Sequence, residues 1–335
     1  MNVALISFTD RGADVAARVA EALRAEGHEA SCACGSGPGK VDRMAWAAEE
    51  FARCDALVFI GAAGIAVRTV APLLESKLSD PAILVIDEAC EHCVPLLSGH
   101  VGGANELARR IGALVGAEPV ITTATDVAGV FAVDTWAVSH GLSIVHPERI
   151  KMVSGALLAG REVTCSSEQP IAGCAPDGLH ILPARAREGI DIQIGIECVP
   201  ADVLGLVPRK AVLGVGCRRG AGAAHLSAAA DAFLASHGIE YVAVGMLASI
   251  DLKAGEPGLL ELVGERGWEF RTFSADELNS QGGDFEPSSF VRDVTGTDNV
   301  CERSVAATGA AVLFPKETVE GVALALGVLP FDLAW

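Results

Sequence analysis

The stretch Ala56-Leu-Val-Phe-Ile-Gly-Ala-Ala-Gly-Ile-Ala-Val-Arg68 decides the fold class. Its first five residues are all apolar, which is typical of a short strand covered on both faces of a parallel sheet. A glycine-containing turn follows, and then a segment that suits a helix. Arg68 and Pro72 interrupt the longer apolar run over 56–74, so we interpret it as strand, loop and helix rather than as a membrane span.

The same alternation of strands and helices extends on both sides of this unit. The patterns predict strands at 2–8, 83–87 and 120–123, helices at 14–24, 44–53 and 105–115, and a Gly/Ser/Cys/Pro loop at 31–40. Strands that alternate with helices indicate an α/β domain with a mainly parallel sheet. We assign this N-terminal domain to residues 1–140.

The remainder of the chain predicts two further domains. Residues 141–208 contain short apolar pieces and many turn residues, which indicate a small middle α/β domain, with 201–210 as a linker. The run Ala211-Val-Leu-Gly-Val-Gly216 opens a C-terminal α/β domain at 209–335. There we predict a helix at 223–237, a strand at 241–244 and a last helix at 317–326.

Charge and cysteine content restrict the function classes. The chain has 335 residues and a formal net charge of −18, which argues against nucleic acid and anionic membranes as partners. An anionic small molecule remains compatible, because a local basic pocket can oppose the global field. The 10 cysteines follow a start that reads as a strand with no signal peptide, so we expect reduced thiols in the cytoplasm. Cys90-Glu-His-Cys93 lacks the second pair of a zinc site, so no metal is expected.

The segment Pro95-Leu-Leu-Ser-Gly-His-Val-Gly-Gly-Ala-Asn-Glu-Leu-Ala108 is the densest in chemical groups. Its glycines allow close backbone approach to a ligand, and the helix that follows points free N–H groups toward it. The segment is neither a nucleophile elbow nor a Walker A loop. It predicts an anion cradle with His100 as acid–base candidate; the alternative is a helix-capping loop with a structural histidine. Val120-Ile-Thr-Thr-Ala-Thr-Asp126 adds hydroxyls and a carboxylate.

A second glycine-rich turn, Gly214-Val-Gly-Cys-Arg-Arg-Gly220, follows a predicted strand. Its spacing departs from the dinucleotide fingerprint, and the acid nearest the expected position, Glu240, precedes its strand. We interpret the turn as a basic site for a carboxylate or phosphate at a helix N-terminus. Arg68 is expected at the carboxyl edge of the N-terminal sheet, where a guanidinium suits a carboxylate.

Together these motifs resemble the CbiG family, the cobalt-precorrin-5A hydrolases of anaerobic cobalamin biosynthesis, with a C-terminal domain similar to CobE. The resemblance rests on Gly64-Ile-Ala-Val-Arg68, Ala71-Pro72, Lys77, Asp80-Pro81, Asp87, Leu96–Leu107, Val120–Asp126, Gly216–Arg219, Ser249-Ile-Asp251, Lys253, Glu256 and Val300-Cys-Glu302. It implies a cobalt-tetrapyrrole substrate whose δ-lactone is opened and whose C20 carbon leaves with its methyl group as acetaldehyde. It implies no cofactor, since the cobalt belongs to the substrate, and makes other corrin-pathway enzymes the candidate protein partners.

The resemblance also suggests roles for individual residues. His100 is the expected base, the Gly102 and Gly103 amides the oxyanion donors, and His100 or Asp126 the acceptor of a hydroxyl proton. Arg68, Lys77, Arg218 and Lys253 are expected to hold the peripheral carboxylates of the macrocycle. The further expected substrate contacts are Ser98, Gly99, Asn105, Thr122, Thr123, Cys217 and Glu302. We expect these groups to face a cleft between the N- and C-terminal domains.

Three other functions remain open from the residues alone. A non-catalytic corrinoid carrier would use the same pocket without releasing acetaldehyde. A nicotinamide-dependent oxidoreductase would bind NADPH at Gly214–Gly220. Thiol redox chemistry at Cys90 and Cys93 would need a depressed thiol pKa, which the acidic residues around them oppose.

Overall fold

The chain divides into two compact units, Met1–Thr135 and Trp136–Trp335. They are seen in a computed structural model that describes residues 1–37, 39–76, 79–184, 186 and 188–335. Within these ranges, no helix combines the length and the apolar character that crossing a membrane requires.

The first unit is built on a six-stranded sheet. Its elements are β1 (Asn2–Ser7), α1 (Asp10–Ala25), β2 (Glu29–Cys34), α2 (Arg43–Arg53), β3 (Ala56–Ile60), α3 (Ala63–Val70), β4 (Ala82–Ile86), β5 (His92–Leu97), α4 (Ala104–Val115), β6 (Glu118–Pro119), α5 (Ala124–Ala128) and α6 (Val133–Ser139), of which the last crosses into the second unit. The strand order is β2-β1-β3-β4-β5-β6. Every residue of β3 and β4 is buried, as the apolar runs predict for central strands.

Two predictions for this unit are wrong at strands. Residues 29–34 form β2 where a loop was expected to begin, because a half-exposed edge strand does not need the large apolar residues that identify a central one. Residues 120–123 form no strand: β6 ends at Pro119, Val120 N–H donates to Cys93 O, and the chain then leaves the sheet. The mixed sequence of β5 was not recognised as a strand at all.

The direction of β5 places the chemical segments at one edge of the sheet. β5 pairs antiparallel with β4, with Leu97 opposite Ile83, and β6 runs parallel to β5. Ser98 and Val120 therefore emerge at the edge where β4 begins, not where β3 and β4 end. Arg68 is exposed in the last turn of α3, the helix that follows β3, and its role in holding substrate stays a prediction.

The second unit contains two five-stranded sheets, and the first is formed within residues 142–208. The elements in this range are β7 (Leu142–Val145), α7 (Ile150–Leu158), β8 (Val163–Ser167), β9 (Ile171–Ala172), β10 (Leu179–Ile181), β11 (Ile192–Ile194) and β12 (Leu204–Pro208). The order is β10-β8-β11-β12-β7. The prediction of a linker at 201–210 is wrong, because β12 is wholly buried between β11 and β7.

The other large sheet carries the C-terminal elements. They are β13 (Ala211–Gly216), α8 (Ala223–Ser236), β14 (Val244–Ile250), α9 (Pro257–Arg266), β15 (Glu269–Phe273), α10 (Ala275–Asn279), α11 (Ser289–Thr295), α12 (Val300–Ala307), β16 (Ala311–Val319), β17 (Val322–Val328) and β18 (Leu333–Ala334). The order is β15-β14-β13-β17-β16, and β18 pairs with β9 in a separate two-stranded sheet. Most strand pairs in the two units are parallel, and the mixed α/β fold class is confirmed.

Two predictions for the C-terminal elements are wrong. Residues 241–243 form a 3-10 turn, and the strand is β14 at 244–250. The apolar residues of 317–326 belong to the hairpin of β16 and β17 rather than to a helix; Glu320 and Gly321, both at positive φ, form the turn between them. Alanine and leucine fit either structure, and the antiparallel partner β13 selects the strand.

We predict that Gly214→Ala destabilises the protein by ~1–3 kcal/mol, because a Cβ there would lie 2.1 Å from the backbone oxygen of Cys301 in α12. Gly216→Ala in the same strand is the matched control, since its nearest neighbour would be 3.6 Å away. Urea unfolding of both variants measures the difference. Equal midpoints for the two would contradict the close packing of α12 on β13.

Candidate active site

His100 is the centre of a hydrogen-bonded cluster in the first unit. Its Nδ1 lies 3.1 Å from Asp134 Oδ2, and its Nε2 lies 3.1 Å from Asp126 Oδ2. The Thr125 hydroxyl lies 3.2 Å from the same Nε2. The imidazole is 18% exposed, so both carboxylates act on it with limited screening by water.

The loop that carries His100 is held by its own backbone. Ser98 has φ 56° and Gly103 φ 78°, and these left-handed residues let Ala104 N–H reach Ser98 O at 3.0 Å. A Cβ at Gly102 would lie 2.4 Å from Ser98 Cβ, so this position requires glycine for the close approach. Gly103 N–H already donates to His100 O, whereas no partner for Gly102 N–H is found among the described residues.

Asn105 ties this loop to the segment that supplies Asp126. Its side chain is buried, and its Nδ2 donates to Thr123 Oγ1 at 2.8 Å and to Asp126 Oδ2 at 2.9 Å. Arg109, one turn further along α4, donates to Asp126 Oδ1. Of the predicted residues, Asp126 contacts His100 directly, Asn105 contacts Asp126, and Thr123 contacts Asn105. Thr122 is exposed.

Gly99 also belongs to this packing. A Cβ on Gly99 would lie 2.8 Å from Asn105 Oδ1, and Gly99 O accepts from Asn105 N–H at 3.0 Å. Ser98 and Gly99 thus set the backbone of the loop and the position of the Asn105 amide. Their role in holding substrate stays a prediction.

The cluster favours an imidazolium between two carboxylates. Hydrogen bonding to Asp134 raises the pKa of His100, against the opposing effect of burial, and Asp126 raises it further. Burial acts to raise the pKa of Asp126, but hydrogen bonds from Arg109 and His100 hold it below its usual value. The pKa of Asp134 is likewise lowered, since His100 offsets its burial. The site can therefore hold a proton on His100.

Two cationic residues that we expected near the substrate, Arg68 and Lys77, are not tested by the structure. Arg68 is exposed on α3. Lys77 lies outside the described residues. Arg68 is not among the described residues in hydrogen-bond contact with His100.

The residues singled out in the second unit form two separate groups. Lys253 Nζ lies 2.9 Å from Glu256 Oε2, and Glu256 Oε1 accepts from Gly220 N–H at 2.6 Å. This buried carboxylate fixes the turn that carries Cys217 and Arg218. Burial raises the pKa of the Cys217 thiol, and the nearby Lys253 ammonium offsets only part of this effect. Arg218 is exposed at the turn.

Glu302 lies in the first turn of α12. It is 3% exposed, and its Oε1 accepts from Asn299 Nδ2 at 2.7 Å and from Lys316 N–H at 3.1 Å. Asn299 Oδ1 in turn accepts from Glu302 N–H. The observed contacts of Glu302 cap the helix and join it to β16. Its contact with substrate stays a prediction.

Sequence reasoning missed Asp134, Thr125 and Arg109. Asp134 is separated from His100 by 34 residues and stands at the start of a short helix, where an acid is usually explained by the helix dipole. Thr125 and Arg109 lie within or beside the quoted motifs. The sequence shows these residues but not the direction in which their side chains point. Only the approach of α4, α5 and α6 brings them to one imidazole.

Cys90 and Cys93 are both buried, and burial raises the pKa of Cys93 to about 12. Thiol redox chemistry needs a depressed thiol pKa, so a redox function of this pair loses its support.

Over the described ranges, no group of three or more histidine, cysteine or acidic residues is arranged to hold a metal ion.

Comparisons with known proteins agree with the motifs. Family models described as cobalamin synthesis G N-terminal and cobalamin synthesis G C-terminus match residues 45–126 and 211–327. A cobalt-precorrin-5A hydrolase from Salmonella typhimurium is 36% identical over 84% of both chains. The chain belongs to the CbiG family. The His100 loop, Asn105 and Asp126 all lie within the N-terminal CbiG match.

This CbiG-family chain matches two further proteins. A cobalt-precorrin-5A hydrolase from Priestia megaterium is 32% identical over 82% of this chain and 79% of its own length. The crystal structure of CobE, a protein from the cobalamin biosynthetic pathway, is 29% identical, with a TM-score of 0.34, and covers 36% of this chain and 91% of its own.

We predict that His100→Gln destabilises the protein most between about pH 4 and pH 6.5. Because folding raises the pKa of His100, its charge stabilises the fold fully at pH values below the pKa of the unfolded state, and less as the pH rises through the pKa of the folded state. The pKa values of Asp126 and Asp134 are lowered by folding, so protonation of these carboxylates ends the effect at acid pH. Hydrogen exchange of α4 at pH 5.5 and pH 8.5 measures the effect. His92→Gln, at a half-exposed ring, is the control. An equal loss of protection at both pH values would contradict the charged cluster.

Proposed function

We propose that this chain is a cobalt-precorrin-5A hydrolase that opens the δ-lactone of its substrate and releases acetaldehyde, giving cobalt-precorrin-5B. The observation that carries this proposal is the His100 imidazole held between Asp126 and Asp134 beside a glycine loop. The names of its relatives in the CbiG family support the substrate. The released fragment follows from the chemistry below.

Lactone opening needs a base for water and a donor for the developing oxyanion. His100, once it has lost a proton, accepts one from the attacking water. The water oxygen bonds to the lactone carbonyl carbon, and the ring carbon–oxygen bond breaks to give a carboxylate and a hydroxyl. Gly102 N–H is the proposed oxyanion donor, because Gly103 N–H is already bonded to His100 O.

Release of the two-carbon fragment requires a second proton transfer. Once His100 has passed its first proton to solvent, His100 or Asp126 takes the proton of the new hydroxyl. The adjacent carbon–carbon bond then breaks, and its electron pair enters the conjugated macrocycle. The macrocycle then takes up a proton, so one water enters and one acetaldehyde leaves. The electron sink is the cobalt-bearing ring of the substrate itself, which is why no resident cofactor is proposed.

The many carboxylates of the substrate call for cations in an otherwise acidic protein. Arg68, Arg218 and Lys253 are the proposed partners, and Lys77 remains a further candidate. Guanidinium groups suit carboxylates through paired hydrogen bonds. Lys253 already donates to Glu256, so its replacement would also disturb that contact. Replacing Arg218 therefore tests substrate binding in the second unit more directly.

We expect purified protein to convert cobalt-precorrin-5A anaerobically, with one acetaldehyde trapped for each corrinoid product. His100→Ala should lower turnover by about 10²–10⁴-fold and retain binding, because general acid–base catalysis contributes that much. His92→Ala, at a half-exposed ring in the same unit, is the matched control. Binding by the wild type without acetaldehyde would instead identify a corrinoid carrier, and unchanged turnover in His100→Ala would remove His100 from the mechanism.

We predict that Arg218→Ala raises KM about two- to fivefold and leaves kcat unchanged, because an exposed guanidinium would contribute to binding but not to bond breaking. Arg271→Ala is the control, since Arg271 pairs with Glu269 at an edge strand. Steady-state rates with both variants decide. The same KM in both would remove Arg218 from the substrate site.

NADPH binding at Gly214–Gly220 has weaker support. The Glu240 carboxylate, which would have to hold the ribose, accepts Val199 N–H at 3.0 Å and lies before β14. Its position is thus accounted for by a contact within the fold.

A further inference from the structure

The two carboxylates beside His100 are not equivalent. The Asp134 side chain is 8% exposed, and its Oδ1 accepts Thr135 N–H at 3.0 Å. The Asp126 side chain is 17% exposed and is flanked by the exposed Arg109 and Val127. Nδ1 of His100 therefore faces the more buried carboxylate, and Nε2 faces the more exposed one.

We infer that Asp134 is a positioning residue that keeps the proton of neutral His100 on Nδ1 and presents Nε2 as the reactive nitrogen. This inference deepens the proposed function, because it takes His100 as the acid–base group. Asp134 itself has no contact with substrate in this scheme and acts only through the imidazole.

Competition between the two carboxylates decides which nitrogen releases its proton. Asp126 is already compensated, since Arg109 donates to its Oδ1 and Asn105 Nδ2 donates to its Oδ2 at 2.9 Å. Asp134 has, among the described residues, no cation other than His100. Its buried charge therefore depends on Nδ1–H more than Asp126 depends on Nε2–H, because an unpaired buried carboxylate is costly. When His100 loses a proton, it leaves from Nε2.

Loss of that proton leaves the Nε2 lone pair beside the Asp126 carboxylate. The two acceptors lie 3.1 Å apart in the charged cluster. Once their repulsion has moved them apart, a water molecule can donate one proton to Nε2 and the other to Asp126 Oδ2. The same water is then held by two acceptors on the side of the more exposed carboxylate. Such a water is oriented for attack on a lactone carbonyl placed next to it.

The charged groups around the imidazole come from three helices. Asp134 lies on α6, Asp126 on α5, and Arg109 with its partner Glu106 on α4. Removing the Asp134 carboxylate takes away the strongest contribution that raises the His100 pKa. The other three charged residues stay in place. The amide introduced by Asp134→Asn can donate to Nδ1, which favours the other tautomer, with the proton on Nε2.

The test is nitrogen-15 NMR of histidine-labelled full-length protein, with His100 assigned by its absence in His100→Gln. In the wild type above the His100 pKa, we expect a protonated Nδ1 and an unprotonated Nε2. Asp134→Asn should lower the His100 pKa by about one unit or more and move the proton to Nε2. It should also lower kcat about 100-fold, with KM within about threefold.

Two variants separate positioning from general damage. Thr135→Ala is the matched control on α6, because it keeps the backbone N–H that donates to Asp134. Asp134→Glu retains a carboxylate and should keep much of the raised pKa. The shift of the kcat/KM profile toward lower pH in Asp134→Asn is a readout that a merely structural role would not move.

An Nε2-protonated neutral His100 in the wild type would overturn the inference, as would an unchanged tautomer and pKa in folded Asp134→Asn. If Asp134→Asn does not fold, the wild-type tautomer alone decides. A protein that shows the expected tautomer and releases no acetaldehyde would contradict the proposed function and leave the role of Asp134 intact.

Discussion

The antiparallel pairing of β5 with β4 is the constraint on which the candidate site depends. It reverses the chain after a turn in which the Asp87 carboxylate accepts the backbone N–H groups of Ala89 and His92. β5 and its parallel neighbour β6 then end at the same edge. The loop that carries His100 and the segment that carries Asp126 leave the sheet there together. Without this reversal the two segments would lie in an ordinary parallel repeat, with no reason to meet.

The charge of the cluster connects this architecture with its chemistry. An acidic protein is a poor place for a histidine that must stay neutral, and two carboxylates make His100 a stronger base when it does lose its proton. Arg109 and Asn105 moderate Asp126, so the two carboxylates divide the tasks of orienting the ring and facing the ligand. Stability and function are thus linked through one imidazole.

The sequence predicted the strands correctly where apolar runs were unambiguous. The prediction failed where the structure of a segment depends on its packing partners. β3, β4 and β13 are buried strands, and their residues alone identify them. The edge strand β2, the strand β5 and the hairpin at 311–328 contain small or mixed residues, whose structure depends on partners distant in the chain. For the site, motif spacing found His100, Asn105 and Asp126. It could not find Asp134, because no local pattern reports a contact across 34 residues.

In the proposed reaction, water attacks the lactone carbonyl next to His100. The most direct measurement is anaerobic turnover in oxygen-18 water, followed by mass spectrometry of the corrinoid product. Attack at the carbonyl carbon predicts one oxygen-18 atom in the carboxylate that the opened lactone leaves on the macrocycle. A corrinoid product without oxygen-18, formed at the normal rate, would contradict this account.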